Sequence, residues 1–466
     1  MLEAMRIQIA LTLLLCSGAF AGLVSCGKGA DPRLAGSSRG PERNGWIPVR
    51  LQGAPAAIGF QHGFLLAREI DDALAVQKLS LPRETSRDWA FLRSAAERTL
   101  WPRVPDEFRE EIRGIAAGMG AAGVNADVWD LVVLNSFLEL SYYTDWLDRR
   151  KGSSRPDRCS AFVATGSWTR DGRPVIAHNN WSLYLEGSRW NVIFDVRPEK
   201  GHRFLMDGMP GLIHSGDDFG MNDAGVVITE TTISQFHGFD PGGVPEFVRA
   251  RKAMQYSESV DDFDRIMREG NNGGYANTWL VADVGRNEIA RLELGLAHVT
   301  LARTKDGAFV GANFPIDPAL AAEETTFPVG NRGEGRLIRG ERWDRLMAEF
   351  KGRIDLAAAR SFVSDHFDAR DGTADSPSER TLCGHIDLSP RGSRPWLDAF
   401  GPGGTVQAKA ADAAMVRAME LEAAMGHPCG IDFRAAPFLE QHPELAWQKP
   451  LLRDLPARPW TRFAAP

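Results

Sequence analysis

The chain has 466 residues, 54 lysines and arginines against 61 aspartates and glutamates, and a formal net charge of −7. Acidic and basic residues are interspersed with no basic stripe, which argues against a nucleic-acid partner. With 43% hydrophobic residues the chain can bury one large core or two domains, and 47 glycines with 27 prolines suit many tight turns between strands.

At the N-terminus, Arg6 followed by an apolar run over residues 7–15 and then small residues reads as a secretory signal peptide spanning residues 1–25. The run is too short, and too interrupted by Ser17, Gly18 and Gly22, for a membrane span. It ends Leu23-Val24-Ser25-Cys26-Gly27, which resembles the bacterial lipoprotein lipobox. That resemblance implies lipidation of Cys26 and a membrane anchor. Gly27, carrying no aspartate retention signal, leans toward the periplasmic face of the outer membrane or the cell surface. Residues 26–45, rich in Gly, Ser, Pro and Arg, read as a flexible tether.

Residues 46–158 read as a mainly helical small fragment. Helical spacing of apolar residues runs over 56–75 and 89–100. Pro105-Asp106-Glu107 starts a third helix that closes near Gly118 and Gly120, and 127–147 reads as one long apolar helix. Residues 148–158 (DRRKGSSRPDR) are polar and read as an exposed linker. In the large fragment, 159–466, strands are expected at 160–166, 175–178, 204–205, 226–232, 278–284, 288–294, 299–302, 308–312 and 405–408. Helices are expected at 245–256, 260–268, 336–350, 356–367 and 412–425. Such a mixture suggests layers of helix and sheet.

Cys159 follows the linker and opens a strand, an odd place for a packing cysteine. Cleavage between Arg158 and Cys159 would give Cys159 a free α-amine. With a pKa near 7.7–8.0, such an amine can accept the thiol proton, so one residue supplies nucleophile and base. Of the other cysteines in the exported body, Cys383 and Cys429 are a candidate disulfide; the alternative, three reduced thiols, stays open. His385 has no metal-ligand companion at a helical spacing, the acids of 368–379 do not fall at calcium-loop positions, and no phosphate loop or dinucleotide fingerprint is present. Neither a metal nor an organic cofactor is expected.

Several segments, in order, resemble the phospholipase B-like proteins of the N-terminal nucleophile hydrolases: Cys159-Ser160-Ala161-Phe162-Val163-Ala164, His178-Asn179-Asn180-Trp181, the stretch from Pro210 to Phe219, Gly225 to Thr232, Asn271 to Trp279, and Gly404 to Lys409. Gly59-Phe60-Gln61-His62-Gly63 is similar to the N-terminal region of the related penicillin acyltransferase-like hydrolases. The resemblance implies an α+β fold, a four-layer αββα sandwich with a helical N-terminal fragment. It implies Cys159 as nucleophile, His178 as orienter or proton carrier, Asn277 as oxyanion donor, and Thr231 or Thr232 holding the amine or thiol. Asn180, Trp181 and Asp218 would line the substrate site. An arginine at a helix start is implied too; Arg336, Arg339 and Arg342 compete, and Arg339 fits the spacing best. The implied activity is hydrolysis of amide or ester bonds in a small acyl amide or a lipid. A penicillin acyltransferase-like amidase or acyltransferase, and a non-catalytic surface-binding lipoprotein, stay open, as does the oligomeric state.

Overall fold

The computed structural model describes residues 31–151, 159–216, 219–389 and 401–464. The signal segment, Cys26, Arg158 and Asp218 lie outside the described residues. In chain order the strands are β1 (Ser38–Arg39), β2 (Ile47–Gly53), β3 (Ser160–Thr165), β4 (Val175–Leu183), β5 (Val192–Pro198), β6 (Phe204–Gly208), β7 (Gly220–Asn222), β8 (Val226–Thr232), β9 (Asn277–Asp283), β10 (Glu288–Leu294), β11 (Val299–Thr304), β12 (Gly307–Gly311), β13 (Gly403–Asp412), β14 (Glu420–Met425) and β15 (Thr461–Ala464). The helices begin with α1 (Pro55–Leu65), α2 (Ala67–Thr85), α3 (Trp89–Ala95), α4 (Asp106–Ala121), α5 (Val128–Asn135) and α6 (Phe137–Leu147). They continue with α7 (Tyr184–Gly187), α8 (Glu246–Tyr256), α9 (Val260–Arg268), α10 (Pro318–Glu324), α11 (Gly335–Phe350) and α12 (Leu356–Val363).

Two sheets face each other. One has nine strands in the order β1-β2-β5-β6-β7-β8-β9-β10-β11, the other six in the order β12-β3-β4-β13-β14-β15. The side-chain alternation of β3 shows why the layers form. Ala161 and Val163 join the core between the sheets with Leu205, Met221, Val227 and Leu280. Phe162 and Ala164 face the other way, into a core with Trp343, Met347 and Phe362 of α11 and α12. The outer face of the nine-stranded sheet (Val49, Phe194, Ile228, Trp279) is covered by α1, α2, α4–α6, α8 and α9 through Ile58, Ile70, Ile112, Leu131, Phe137, Phe247 and Phe263. Helix, sheet, sheet, helix is the four-layer αββα arrangement expected. No helix among the described residues is long and apolar enough to cross a membrane.

Three expectations need correction. Residues 31–45 are not a free tether: Arg33 stacks on Phe60, Arg39 pairs with Glu69, and β1 pairs with β2. The mainly helical small fragment also contributes β2, which runs parallel to β5 inside the large sheet. The helices read over 56–75 and 127–147 each break, at Leu66 (φ −122°) and Ser136 (φ −115°). Over 412–425 only Ala413–Ala418 is helical; Met419 turns left-handed (φ 55°) and ends it, and 420–425 becomes β14, with Leu421, Ala423 and Met425 pointing into the inter-sheet core.

Candidate active site

Cys159 is a buried free thiol immediately before β3. Its φ is +93°, a left-handed backbone that a residue with a Cβ adopts only when its surroundings hold it there. Arg339, on the second turn of α11, does much of that holding. Its Nη1 donates to the Cys159 carbonyl oxygen and to Ser160 Oγ, both at 2.8 Å, and its Nη2 donates to Asn313 Oδ1 at 3.0 Å. Asn313, itself left-handed at φ 67°, donates to the Thr232 carbonyl at 3.0 Å. One guanidinium therefore ties the head of β3 to the end of β8. Burial lowers the Arg339 pKa to about 10, opposed by the nearby Cys159 sulfur. The competing arginines are spent elsewhere: Arg336 pairs with Glu334 at 2.8 Å and Arg342 with Asp365 at 2.6 Å.

On its thiol side, Cys159 Sγ lies 4.0 Å from Glu230 Oε1. The same oxygen accepts from the Tyr275 hydroxyl at 3.1 Å, and Tyr275 bonds Thr232 Oγ1 at 2.8 Å. With its amide oriented so that both atoms are satisfied, Asn277 donates to Glu230 Oε2 at 2.7 Å and to the Ala276 carbonyl at 3.1 Å. Cys159, Asn277 and Thr232 thus meet around one buried carboxylate. Thr231, one residue earlier, points toward Gly311, where a Cβ would come within 2.4 Å of its Oγ1.

The β3–β4 ladder pairs Ser160 with Asn179 and Ala161 with His178. Continuing that register by one residue sets Asn180 across from Cys159, with His178 one diagonal step away on the same face. Asn180 is buried, and its Nδ2 has no partner among the described residues. His178 stacks against Phe219 at 6.3 Å, and across β13 its neighbour is Lys409. Lys409 Nζ pairs with Asp207 Oδ2 at 3.1 Å between the sheets, both side chains fully buried. Trp181 faces the opposite way: Arg339 lies 4.2 Å over its ring, and its Nε1 donates to the Leu382 carbonyl at 3.3 Å. It backs the arginine and does not line the Cys159 side.

Sequence reasoning assigned no role to Glu230, Tyr275, Asn313 or Ser160. Glu230 offered a signal: an acid inside a strand that is apolar or β-branched on both sides, hence buried on both faces. Asn313 offered none, since only tertiary approach brings it to Arg339.

The candidate disulfide between Cys383 and Cys429 is absent and both are free thiols, the alternative that the sequence left open. Instead each Sγ lies 3.4 Å from His385 Nε2, and His366 Nε2 lies 3.2 Å from the same atom. His385, for which the sequence shows no companion at a helical spacing, therefore has companions brought to it by the fold. They come from three separate segments, so no local spacing announced them.

A buried cysteine thus heads a central strand of an αββα sandwich, its peptide gripped by an arginine. The family model described as Phospholipase B matches residues 116–301, and the chain is related to the phospholipase B-like proteins, as the sequence motifs imply. An uncharacterized protein of Archaeoglobus fulgidus is 28% identical over 59% of this chain and 47% of its own length. A putative phospholipase B-like 1 of Caenorhabditis elegans is 22% identical over 63% of this chain and 58% of its own. An acyl-coenzyme A:6-aminopenicillanic-acid-acyltransferase 40 kDa form of Emericella nidulans is 24% identical over 48% and 57%. The chain thus spans about half the length of the curated relatives it matches. Among solved structures, a mutant of the conjugated bile acid hydrolase from Clostridium perfringens matches at 12% identity and a TM-score of 0.32, over 57% of this chain and 88% of that one.

Proposed function

We propose that the chain is a self-processing hydrolase in which Cys159, freed at its amine, attacks the carbonyl of an amide or ester of a small acyl compound. The observation that carries this reading is the pairing of a left-handed, buried Cys159 with an arginine that fixes its carbonyl and the next hydroxyl. Processing starts when the thiol attacks the carbonyl carbon of Arg158. The thiol proton passes to the departing backbone nitrogen, leaving a thioester on sulfur and a free α-amine on Cys159. Water hydrolyses the thioester and releases the Arg158 carboxylate. In turnover the α-amine takes the thiol proton, the thiolate attacks the substrate carbonyl, and the amine returns the proton to the leaving nitrogen or oxygen. Water then frees the acyl group. The oxyanion needs a donor already aimed at it, worth about 2.7–4 kcal/mol. Asn180, whose Nδ2 has no partner among the described residues, can serve directly; Asn277, whose two amide hydrogens go to Glu230 and the Ala276 carbonyl, serves once one of those bonds is given up to the oxyanion. Arg339 is a positioning residue, and Glu230 is placed to pair with the new ammonium group.

The relationship to the Emericella acyltransferase favours a second reading with the same site, in which an amine replaces water as acyl acceptor. A panel of N-acyl amino compounds, phospholipids in mixed micelles, and acyl donors with amine acceptors separates the two. Acyl release from amides or phospholipids by the natural chain, lost in Cys159→Ala, supports the hydrolase. Acyl products formed only with added amine select the acyltransferase. Absence of turnover on every substrate by fully processed protein points to the non-catalytic binding reading. Export and membrane anchoring through a lipidated Cys26 belong to the same proposal.

A further inference from the structure

We infer that His366, Cys383, His385 and Cys429 form a tetrahedral zinc site that fastens the loop between α12 and β13 to the turn after β14. The four ligand atoms all lie within 4.8 Å of one another. Zinc bound by Cys at about 2.3 Å and His at about 2.0–2.1 Å in tetrahedral geometry sets S···N edges near about 3.6 Å and an N···N edge near about 3.3 Å. The structure has 3.4 Å for both thiols to His385 Nε2 and 3.2 Å for the two imidazole nitrogens. Three groups converge on one His385 nitrogen, which carries one proton or one lone pair and can answer only one of them by hydrogen bonding. A single cation satisfies all four at once. Two sulfurs and two imidazoles select zinc among the common metals.

The surroundings fit a metal site independently. His366 Nδ1 is 3.0 Å from Asp375 Oδ1, the carboxylate–histidine contact that turns the other ring nitrogen outward as a ligand. His427 stacks on His385 at 4.1 Å, and both its nitrogens are used elsewhere, by Ile431 O at 2.8 Å and the Tyr184 hydroxyl at 2.9 Å. It therefore braces His385 and is not a fifth ligand. Cys383 and His385 are buried while His366 and Cys429 are partly exposed, so an ion can enter from one side.

Four protein ligands leave no open position, so the site is structural. What it holds is the back of the candidate active site. The Leu382 carbonyl accepts from Trp181 Nε1 and, at 2.9 Å, from Asn179 Nδ2. Gly384 lies so close to Trp181 that a Cβ would sit 2.1 Å from the ring. Trp181 in turn lies under Arg339.

The test uses the full chain purified without chelator or added reductant. Elemental analysis should find one zinc ion per chain. Cobalt exchange should give the intense visible bands of tetrahedral cobalt with a thiolate charge-transfer band. In denaturant, all thiols should titrate once zinc is chelated. Cys429→Ser should lower the zinc content at least tenfold; should that variant fail to fold, the metal content and cobalt spectrum of the natural chain still decide. A metal-free chain with two thiols lost to a Cys383–Cys429 disulfide overturns the inference. So does a metal other than zinc at that stoichiometry, or zinc undiminished in folded Cys429→Ser.

Discussion

At the scale of single residues, two groups are held in states that water alone would not give them. Cys159 is pinned in a left-handed backbone at the junction proposed for cleavage. His62, on α1, is buried; desolvation depresses its pKa from 6.5 to about 3, and its Nε2 accepts the Gly211 amide proton at 2.9 Å. Protonation would set one N–H against another and place a charge in the core. The unfolded imidazole gains its proton near 6.5 and the folded one only near 3. Stability from this group is therefore complete above the upper value and is lost as pH falls through that window. Between pH 7 and pH 5 its share of the loss is about 2 kcal/mol. Urea denaturation at the two pH values should show the loss, and His62→Gln, which keeps an acceptor but cannot titrate, should show a shallower pH slope. An identical slope in the variant would remove His62 from the account. His62 was legible in sequence only as part of a familiar segment; in the fold its ring packs on Phe194 of β5 at 4.9 Å and meets the Gly211 loop.

At the scale of elements, the sharpest packing is the crossing of α1 with α4. A Cβ on Gly63 would come within 2.0 Å of the Ile115 carbonyl, and one on Gly118 within 2.1 Å of the Phe60 carbonyl. The two backbones touch because glycines stand four residues apart on both helices. Gly118→Ala should therefore cost about 1–3 kcal/mol, since backbone cannot move aside as a side chain would. Gly120→Ala, in the same helix with open space around it, should be neutral or stabilise by about 0.5–1 kcal/mol. Equal effects in the two denaturation midpoints would contradict this packing. Elements of this kind show what could be read in advance. β8 and α9 were legible to the residue, each expected over the range the structure shows, Val226–Thr232 and Val260–Arg268. β14 was not, because an Asp412 cap and alanines look like one long helix until Met419 turns left-handed. The Cys159, Asn277 and Thr232 cluster was partly legible because its members lie in recognisable segments. Glu230 at its centre, and the Cys383–His385–Cys429 group, depend on contacts between distant segments that no local pattern encodes.

At the scale of the whole molecule, the proposed cleavage would not separate the fragments. β2 lies within the large sheet beside β5, and α1, α2 and α4–α6 cover that sheet's outer face. The two pieces should co-elute as one species in native size-exclusion chromatography and part only in denaturant. Separation under native conditions would mean that the N-terminal helices and β2 are not integral to the folded large fragment.

The central claim is that Cys159 becomes an N-terminal nucleophile, and intact mass with N-terminal sequencing of the purified protein beside Cys159→Ala tests it most directly. Two fragments in the natural chain, one beginning at Cys159, against a single uncut chain in the variant, is the predicted result. One intact, folded and stable chain in both would contradict it and remove the free α-amine from the chemistry.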